Sequence, residues 1–465
     1  MALLTVVILA AGLGTRMKSR KAKVLHRAGG KTLVRHVVDT ALELTPAENI
    51  FVVVGHQADE VRKAVPAGIN FVEQHEQLGT GHAVLSGRGV LEGRPGKLLI
   101  LYGDCPLLRA ETLQNLIEMV EVNSAAGVLM SARMDDPTGY GRVLRNSQGH
   151  VTSVVEQKAA TPNQLAIHEA NMGIYCYRSE LFWQRVDEIG TNNPAQEYYL
   201  TDMVEILYRA GYFIQAMTID DAREALGINT RIELAEADRL LRQRTLQTLM
   251  LNGVTIEKPE TVAIDPGVRI GMDTVIEPFV RILGRTSIGE DCHIGAGAIL
   301  QDAELGDGVE ILPLTIVTAS RLDSGAQVGP FARFRPGAHV GERAHVGNFV
   351  ELKNTSLGAG SKASHLAYLG DASIGERSNI GAGTIICNYD GHAKHRTSIG
   401  RETFVGSNST LVAPLEIANG VFVAAGSVIT ESVPADALAV GRSKQVNKEG
   451  WAAVRRATMG GKKTE

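Results

Sequence analysis

An aliphatic residue returns every six positions through much of the second half of the chain, between Ile264 and Ile429. Glycine follows that residue directly at thirteen of these places. A period of six fits neither the turn of an α-helix nor the alternation of an isolated strand, and hexapeptide repeats are typical of a parallel β-helix. The pattern therefore predicts about nine triangular coils of three hexads, stacked to about 45 Å at the ordinary spacing of paired strands.

The recurrent aliphatic side chains are predicted to point into the core of this β-helix. The glycines that follow them are expected to supply tight or positive-φ backbone at its corners. The longest interruption, residues 387–398, is predicted to be a loop on the binding face. The repeated positions are Ile264, Ile270, Ile276, Ile282, Ile288, Ile294, Leu300, Leu305, Ile311, Val317, Leu322, Val328, Phe334, Val340, Val346, Leu352, Leu357, Ala363, Leu369, Ile374, Ile380, Ile386, Ile399, Val405, Leu411, Ile417, Val423 and Ile429.

The first half has a different pattern, in which short apolar runs alternate with stretches of helical periodicity. This alternation predicts βαβ units and an α/β layered sheet whose ligands bind at the carboxyl ends of the strands. The predicted strands are 3–10, 50–54, 98–102 and 127–132, and the predicted helices are 33–44 and 111–122. Residues 231–252 are rich in Leu, Ala, Glu and Arg without Gly or Pro, which predicts one long helix ended by Gly253.

Composition narrows the function classes. The 465 residues include 47 Lys and Arg against 51 Asp and Glu, and a net charge of -4 gives no basic footprint for nucleic acid. Four cysteines lie far apart without a C-x-x-C pair, which indicates a reducing compartment, the cytoplasm. Residues 2–11 are apolar but lack the basic leading segment of a signal sequence, so they are interpreted as a buried strand. No apolar run approaches the roughly 20 residues of a membrane span.

A glycine-containing loop follows the first predicted strand, in the sequence Ala10-Ala11-Gly12-Leu13-Gly14-Thr15-Arg16, with Lys23 a few residues later. Backbone N–H groups at such glycines approach a phosphate closely, and the two basic side chains supply charge. Neither a dinucleotide fingerprint nor a Walker A sequence is matched. Taken alone, this Gly-x-Gly is a simple turn about as often as a phosphate loop.

Asp104 follows the predicted strand 98–102 and should reach the same edge of the sheet as the glycine loop. A carboxylate beside a phosphate site is suited to hold Mg²⁺, which prefers oxygen ligands and substrate phosphates. The alternative is an N-cap for the following helix, and both interpretations stay open on these residues alone.

Five short motifs occur in the first half in a fixed order. They are Leu9 to Met17, Lys23-Val24-Leu25, Gln77-Leu78-Gly79-Thr80-Gly81-His82-Ala83, Tyr102-Gly103-Asp104 and Gly139-Tyr140-Gly141-Arg142. Together they resemble the sugar-phosphate nucleotidyltransferases, and most closely the uridyltransferase half of the bifunctional bacterial N-acetylglucosamine-1-phosphate uridyltransferase / glucosamine-1-phosphate N-acetyltransferases. The chain departs from that family at Ala22 and Thr32, where members often have proline.

This resemblance implies that UTP and N-acetylglucosamine 1-phosphate react to give UDP-N-acetylglucosamine and pyrophosphate. The attacking oxygen of the sugar phosphate is already ionised, so alignment and charge neutralisation are expected to suffice without a general base. The implied nucleotide and UDP-sugar ligands are Leu9, Ala10, Ala11, Gly12, Arg16, Lys23, Gln74, Gly79, Thr80, Tyr102, Gly103, Gly141, Glu156, Asn171 and Asn229. Of these, Gln74, Gly79 and Thr80 would read the uracil and Gly141, Glu156 and Asn171 the sugar, while Asp104 and Asn229 would bind Mg²⁺.

Polar side chains interrupt the hexapeptide pattern near its middle. Arg335 and Lys353 directly follow core positions, and His365 and Tyr368 lie between two others. Each alone is most simply a solvated side chain, but a cluster on neighbouring coils indicates a site. The histidines of the interruption, His392 and His395, lack a cysteine or carboxylate cluster and are not expected to bind metal.

These positions resemble the acetyltransferase half of the same family, so the resemblance covers nearly the whole chain. It implies that acetyl-CoA acylates glucosamine 1-phosphate, with His365 as the base that takes a proton from the amine. The implied ligands of the sugar phosphate are Arg335, Lys353, Tyr368 and Asn379, and those of acetyl-CoA are Ala382, Asn388, Tyr389, Ser407, Ala425 and Arg442.

The resemblance also implies the organisation of the chain. The implied fold is an α/β nucleotidyltransferase domain with a Rossmann-like layered sheet (1–228), joined by a long helix (229–252) to a left-handed parallel β-helix of hexapeptide repeats (253–438). A tail (439–465) follows and is expected to be disordered beyond Arg442. The implied partners are the small-molecule substrates and further copies in a homotrimer with acetyl sites between chains, without nucleic acid or membrane.

Two other hypotheses remain. In one, the β-helix of a nucleotidyltransferase only oligomerises or binds an effector. In the other, the chain is a scaffold with a silent nucleotide fold. His365, Lys353 and the interruption favour two enzymes over one, and Asp104 with Lys23 disfavours a silent fold.

Overall fold

The computed structural model describes residues 3–122 and 124–459. The chain divides into two compact units, Met1–Arg244 and Thr245–Glu465, and the division falls inside the helix Arg231–Leu251. Each unit has its own buried apolar core. In the described part of the chain no helix is long and apolar enough to cross a membrane.

The first unit is built on a mixed sheet with helices on its faces. Its apolar strands are buried throughout, as in Ile50–Val54, because helices cover both sides. Among the described residues, the order across the sheet is Ile214–Ile219, Gly127–Arg133, Glu169–Arg178, Lys97–Tyr102, Leu4–Leu9, Ile50–Val54 and Asn70–Glu73, with Gly141–Arg145 and Val151–Val155 forming a hairpin beside Glu169–Arg178. The helices are Leu33–Leu42, Ala58–Ala64, Thr80–Leu85, Arg88–Leu91, Ala110–Val122, Pro162–Leu165, Ser179–Arg185 and Asp202–Arg209.

The predicted strands and helices of this unit are present, within a few residues at their ends. The sequence did not reveal the central strand Glu169–Arg178, which runs antiparallel to both of its neighbours. This strand contains a bulge between Asn171 and Tyr175, so its apolar positions do not keep a regular alternation. The sheet is therefore mixed, although its predicted α/β layering is correct.

The second unit is a left-handed parallel β-helix with three walls. Wall 1 comprises Arg269–Ile270, Ser287–Ile288, Glu304–Leu305, Arg321–Leu322, His339–Val340, Ser356–Leu357, Ala372–Ile374, Thr397–Ile399 and Leu415–Ile417. Wall 2 comprises Thr255–Ile256, Val275–Ile276, His293–Ile294, Glu310–Ile311, Gln327–Val328, Asn379–Ile380, Phe404–Val405, Phe422–Val423 and Leu438–Ala439. Wall 3 comprises Ala263–Ile264, Arg281–Leu283, Ile299–Gln301, Ile316–Thr318, Arg333–Phe334, Ile385–Cys387, Thr410–Val412 and Val428–Ile429. The longer strands His345–Lys353 and Lys362–Gly370 run through walls 2 and 3.

The aliphatic ladder fills the inside of the β-helix, as predicted. Successive coils pair in register, so that Ile276 lies against Ile294 and Ile294 against Ile311. All these side chains belong to one continuous core, with Ile270 packed at its edge. The predicted parallel β-helix is therefore confirmed by its hydrogen bonding and its packing.

The reason predicted for the glycines is wrong in part. Gly358 and Gly381, like most glycines that follow a core position, do not have a positive φ. Instead, a Cβ on Gly358 would lie 2.6 Å from the backbone nitrogen of Glu376 in the next coil. The left-handed corners are occupied mainly by other residues, such as Phe331 and Arg377. Glycine is needed at these repeat positions because stacked coils approach each other too closely for a side chain.

Gly358→Ala is expected to destabilise the β-helix by about 1–3 kcal/mol, the usual cost of overpacking. Gly267→Ala is the milder comparison in the same β-helix and should destabilise it less, because its Cβ would meet the nearest atom, the Gly284 oxygen, at 3.2 Å and not at 2.6 Å. Amide hydrogen exchange in the neighbouring strands measures the effect locally. Equal exchange rates in the two variants would contradict the stacking explanation.

The C-terminal region differs from the expected disordered tail. Residues Trp451–Met459 form a helix in which every residue is exposed. Its Ala and Arg content favours helix formation without burial. Residues 460–465 of the predicted tail lie outside the described residues.

Candidate functional sites

A cleft of about 280 Å³ opens at the carboxyl ends of the strands Leu4–Leu9 and Lys97–Tyr102. Gly14 adopts a left-handed conformation with φ 63°, which turns the chain away from the strand end. The predicted site residues that line the cleft are Leu9, Ala10, Ala11, Gly12, Lys23, Gln74, Gly79, Thr80, Tyr102 and Asp104. Gly103 lies against them, since its N–H donates to the Leu9 oxygen at 2.9 Å.

Two oxygen groups converge on the ammonium group of Lys23, which lines this cleft. Lys23 forms an ion pair with the buried carboxylate of Asp104 and donates from Nζ to Asn229 Oδ1 at 2.9 Å. Arg16 Nη2 donates to the same Asn229 oxygen at 2.8 Å. Asp104 does not cap a helix, because the following helix begins at Ala110.

The same oxygens fit a divalent cation. Asp104 and Asn229 already surround a positive charge, and Mg²⁺ is commonly held by one or two such protein oxygens together with substrate phosphates. Within residues 3–122 and 124–459 there is no cluster of three or more His, Cys, Asp or Glu that would hold a metal without substrate. The donor set therefore suits a metal bound jointly with phosphate.

The residues predicted to hold the sugar come from the neighbouring strands. Asn171 is paired in register with Gly141, and burial raises the pKa of Glu156. Arg142 is buried and donates from Nη1 to the Pro137 oxygen at 2.9 Å, which supports the turn before Gly141. These contacts fix the backbone around Gly141 and Asn171, but Gly141, Glu156 and Asn171 are not among the residues that line the cleft.

Some residues of this site were not included in the prediction. Gln77 and Glu197 also line the cleft. Gln77 stands inside a recognised motif, whereas nothing local marks Glu197.

Ala22, which stands where members of the family often have proline, makes a hydrogen bond through its backbone. Its N–H donates to Gln57 Oε1 at 2.8 Å, a bond that proline cannot make.

The β-helix brings most of the predicted acetyl-CoA residues into one column with His365. This column follows the corner between walls 2 and 3, one residue per coil. Asn408 N–H donates to the Ala382 oxygen at 2.7 Å and Gly426 N–H to the Ser407 oxygen at 2.8 Å, which stacks successive coils at this corner. From bottom to top the column contains Asn348, His365, Ala382, Ser407, Ala425 and Arg442.

His365 is exposed, and its ring orientation is fixed by Asn348 of the preceding coil. Its Nδ1 lies 2.7 Å from Asn348 Oδ1. An amide oxygen only accepts hydrogen bonds, so Nδ1 carries the hydrogen and Nε2 of the neutral ring keeps a free lone pair. This arrangement leaves Nε2 able to accept a proton.

A second group of predicted residues lies at the corner between walls 3 and 1. Lys353 Nζ is 3.2 Å from Asp371 Oδ2, and Asn388 donates to the same oxygen. Burial acts to raise the pKa of Asp371, but hydrogen bonds from Asn354, Asn388 and Lys353 outweigh it and lower that pKa. Asp371 was not predicted, although it orders two of the predicted residues.

Three cations and a tyrosine lie at this corner, namely Arg335, Lys353, Lys394 and Tyr368. The neighbouring Lys353 ammonium lowers the pKa of Lys394, and Arg335 contributes in the same direction. A Cβ on Gly370 would lie 2.6 Å from the Tyr368 hydroxyl, so the tyrosine closes over the glycine. Lys394 was not predicted, because a single lysine in an exposed loop has no local pattern that distinguishes it from a solvated side chain. The cluster suits a phosphate group.

The interruption forms a hairpin-like loop between walls 3 and 1. Tyr389 pairs with Lys394 across it, and Asp390 accepts from His395 Nε2 at 2.6 Å and from the N–H of His392. These histidines therefore take part in a local turn.

Asn379, predicted to bind the sugar phosphate, lies on wall 2 and not at the corner with Lys353. There it pairs with Phe404.

Comparison with known proteins agrees with the fold of both units. The model for MobA-like NTP transferase domains matches residues 6–162, the model for bacterial transferase hexapeptides matches 267–301, and that for the hexapeptide repeat of succinyl-transferase matches 396–431. The chain is 64% identical over 454 residues to the bifunctional protein GlmU of Solibacter usitatus, covering 97% of both chains. The chain belongs to the GlmU family.

Other GlmU relatives span the same length. Those of Koribacter versatilis and Shouchella clausii are 49% and 46% identical, over 98% and 96% of this chain and 98% of each relative. As a GlmU family member, the chain is a bifunctional enzyme with a nucleotidyltransferase unit and a hexapeptide acyltransferase unit. The two hypotheses that assign it fewer activities are set aside by this membership.

Proposed function

We propose that the chain makes UDP-N-acetylglucosamine in two steps, at the two sites described above. The second unit acetylates glucosamine 1-phosphate with acetyl-CoA, and the first unit transfers UMP from UTP to the product. The observation that carries this proposal is the separation of two residue sets, a cation and carboxylate cleft in one unit and a histidine column beside a cation cluster in the other.

In the first unit, the phosphate oxygen of the sugar attacks the α-phosphorus of UTP as the bond to the β-phosphate oxygen breaks. Pyrophosphate leaves with those electrons. Lys23 and Arg16 stand where the triphosphate would lie and offset the negative charge that the two anions bring together. Mg²⁺ held by Asp104 and Asn229 would neutralise further charge on the phosphates. No protein base is needed, because the nucleophile is already ionised.

In the second unit, the cations Arg335, Lys353 and Lys394 would bind the phosphate of glucosamine 1-phosphate. His365 Nε2 accepts the proton that the amine loses as its nitrogen attacks the thioester carbonyl of acetyl-CoA. The carbon–sulfur bond then breaks and the thiolate of CoA leaves. The acetyl-CoA would lie along the column above His365, toward Arg442.

The assembly that we propose is a homotrimer. An exposed apolar ridge runs up the corner beside the His365 column, formed by Phe279, Leu314, Phe331, Phe349 and Leu366. Phe331 and Phe349 stack with ring centroids 5.5 Å apart, yet about half of each remains exposed. A ridge of this kind suits contact with another copy, which would bring a neighbouring chain to the acetyl site. The free cysteines support a cytoplasmic location.

Two assays test the proposal on the purified protein. We expect release of free thiol from acetyl-CoA with glucosamine 1-phosphate, and release of pyrophosphate from UTP with N-acetylglucosamine 1-phosphate and Mg²⁺. Each substrate omitted in turn provides the control. Thiol release without the amino sugar, or none at all, would contradict the acetyltransferase assignment, and absence of pyrophosphate would contradict the other.

A further inference from the structure

Gln74 is a buried amide with one atom left open to the nucleotide cleft. Its residue is 4% exposed and its backbone N–H donates to the Val54 oxygen at 2.8 Å, which fixes it at the end of the strand Asn70–Glu73. The side chain lines the cleft. In the described part of the chain Gln74 Oε1 has no hydrogen-bond partner. This oxygen is not fully buried, so it stays accessible from the cleft.

The orientation of this amide is determined by the Gly79 carbonyl, and His82 supports it. Gln74 Nε2 lies 3.3 Å from the Gly79 carbonyl oxygen and 3.1 Å from His82 Nδ1. A carbonyl oxygen cannot donate, so the atom that faces it must be the NH₂ group. The second N–H then points to His82 Nδ1, which has to accept, and the ring hydrogen is therefore on Nε2 of His82. With both contacts made, Oε1 faces the open side.

His82 is itself held in place. It lies in the helix Thr80–Leu85, and its ring centroid is 6.0 Å from that of Tyr198. The segment that carries Tyr198 is bonded to the loop before this helix and to its first turn, since Tyr198 N–H donates to the Leu78 oxygen and Gly81 N–H to the Tyr198 oxygen, both at 2.8 Å. His82 Nδ1 is therefore held where it can accept the hydrogen bond from Gln74 Nε2.

We infer that His82 is a positioning residue that strengthens the selectivity of the site for a base with a ring N–H donor, by supporting the orientation of the Gln74 amide. The inference rests on the proposed uridylyltransferase function. Uracil presents a donor at N3, which matches the acceptor Gln74 Oε1. Cytosine presents an acceptor at N3, which would meet the lone pairs of Oε1. If the amide turned over, its NH₂ group would match cytosine and repel uracil.

The energetic cost supports a measurable effect. A buried hydrogen bond of this kind stabilises the arrangement that makes it, and two acceptors that face each other destabilise the other arrangement by a similar amount or more. Without His82 one acceptor, the Gly79 oxygen, still favours the native orientation at the longer distance of 3.3 Å. We therefore expect His82 to account for part of the selectivity, about tenfold between UTP and CTP.

The test compares kcat/KM for UTP and for CTP in the full-length protein with Mg²⁺ and N-acetylglucosamine 1-phosphate. His82→Ala and His82→Leu should lower the UTP to CTP ratio about tenfold, and His82→Asn, whose amide oxygen can replace Nδ1 as acceptor, should restore part of it. Ser86→Ala is the matched control, because Ser86 Oγ donates to the His82 carbonyl at 2.9 Å and does not contact Gln74.

The outcomes separate positioning from simple structural support. An unchanged ratio in both His82→Ala and His82→Leu overturns the inference, and so does an equal loss of activity with UTP and CTP. Two variants are used because Leu keeps the bulk that Ala removes from the helix. If wild type released no pyrophosphate from UTP, the proposed function would fail first and the inference with it.

Discussion

His365→Ala is expected to lower the kcat of thiol release from acetyl-CoA by about 10²–10⁴-fold, the usual contribution of a general base. The amine of glucosamine 1-phosphate is mostly protonated at neutral pH and must lose a proton to attack. In the structure, Asn348 holds Nδ1 so that Nε2 is free to accept that proton. Steady-state kinetics with a thiol-reactive dye measures the loss, and the KM for the sugar phosphate should change little.

A histidine elsewhere on the β-helix provides the control for this prediction. His339 lies on wall 1, where its Nε2 is 2.7 Å from Asp323 Oδ2. His339→Ala should keep full thiol release. Pyrophosphate release from UTP should remain at the wild-type level in both variants. Retention of acetyl transfer by His365→Ala would remove this residue from the mechanism.

Asp104→Ala is expected to lower pyrophosphate release by about 10³-fold or more, because a metal contributes several kcal/mol of charge stabilisation. The change removes the carboxylate that pairs with Lys23 and that would hold Mg²⁺. Pyrophosphate assays across a range of Mg²⁺ concentrations measure the loss. Binding of Mn²⁺ in the presence of UTP, followed by electron paramagnetic resonance, should weaken as well.

Asp39→Ala is the matched control in the same unit. Asp39 accepts from Lys31 at 2.7 Å and from Arg35 at 2.6 Å on the surface of the unit. Its loss should leave pyrophosphate release unchanged. Thiol release should be normal in Asp104→Ala. If either His365→Ala or Asp104→Ala lost both activities, the model of two independent sites would be wrong.

The β-helix could be predicted from sequence because its dominant signal is local and repeated. Each core residue, such as Ile294, has the same environment as its counterparts one coil away. The role of the glycines could not be read in this way. Whether Gly358 needs a positive φ or a close neighbour depends on the backbone of Glu376, which belongs to the next coil.

The first unit was less predictable for the same physical reason. Strands such as Ile50–Val54 are continuous apolar runs, and their burial on two faces is visible in the sequence. The direction of the strand Glu169–Arg178 is set by hydrogen bonds to two distant strands, and its bulge removes the regular alternation. Strand direction is a property of pairing, which the pattern of a single strand does not contain.

The candidate sites were found mainly through short motifs and the family resemblance. Lys23 and Asp104 were proposed together, and the structure pairs them. The supporting contacts were not foreseen, because they join residues with no common motif. One such contact is made by Asp371, which accepts hydrogen bonds from Lys353 and Asn388. Another is made by Asn348, which orients His365.

The column through His365 also limits how the length of the chain can vary. Its members Ala382, Ser407 and Ala425 are reached at intervals of whole coils, and the interval of 25 residues between the first two contains the loop after Cys387. Losing one residue from a wall in this stretch would turn core side chains outward and displace everything above it. Deletions within the loop would spare that alignment. The alignment of the column therefore tolerates a change in loop length, whereas the proposed phosphate contact of Lys394 does not, so this loop is constrained by binding and not by the stacking of the coils.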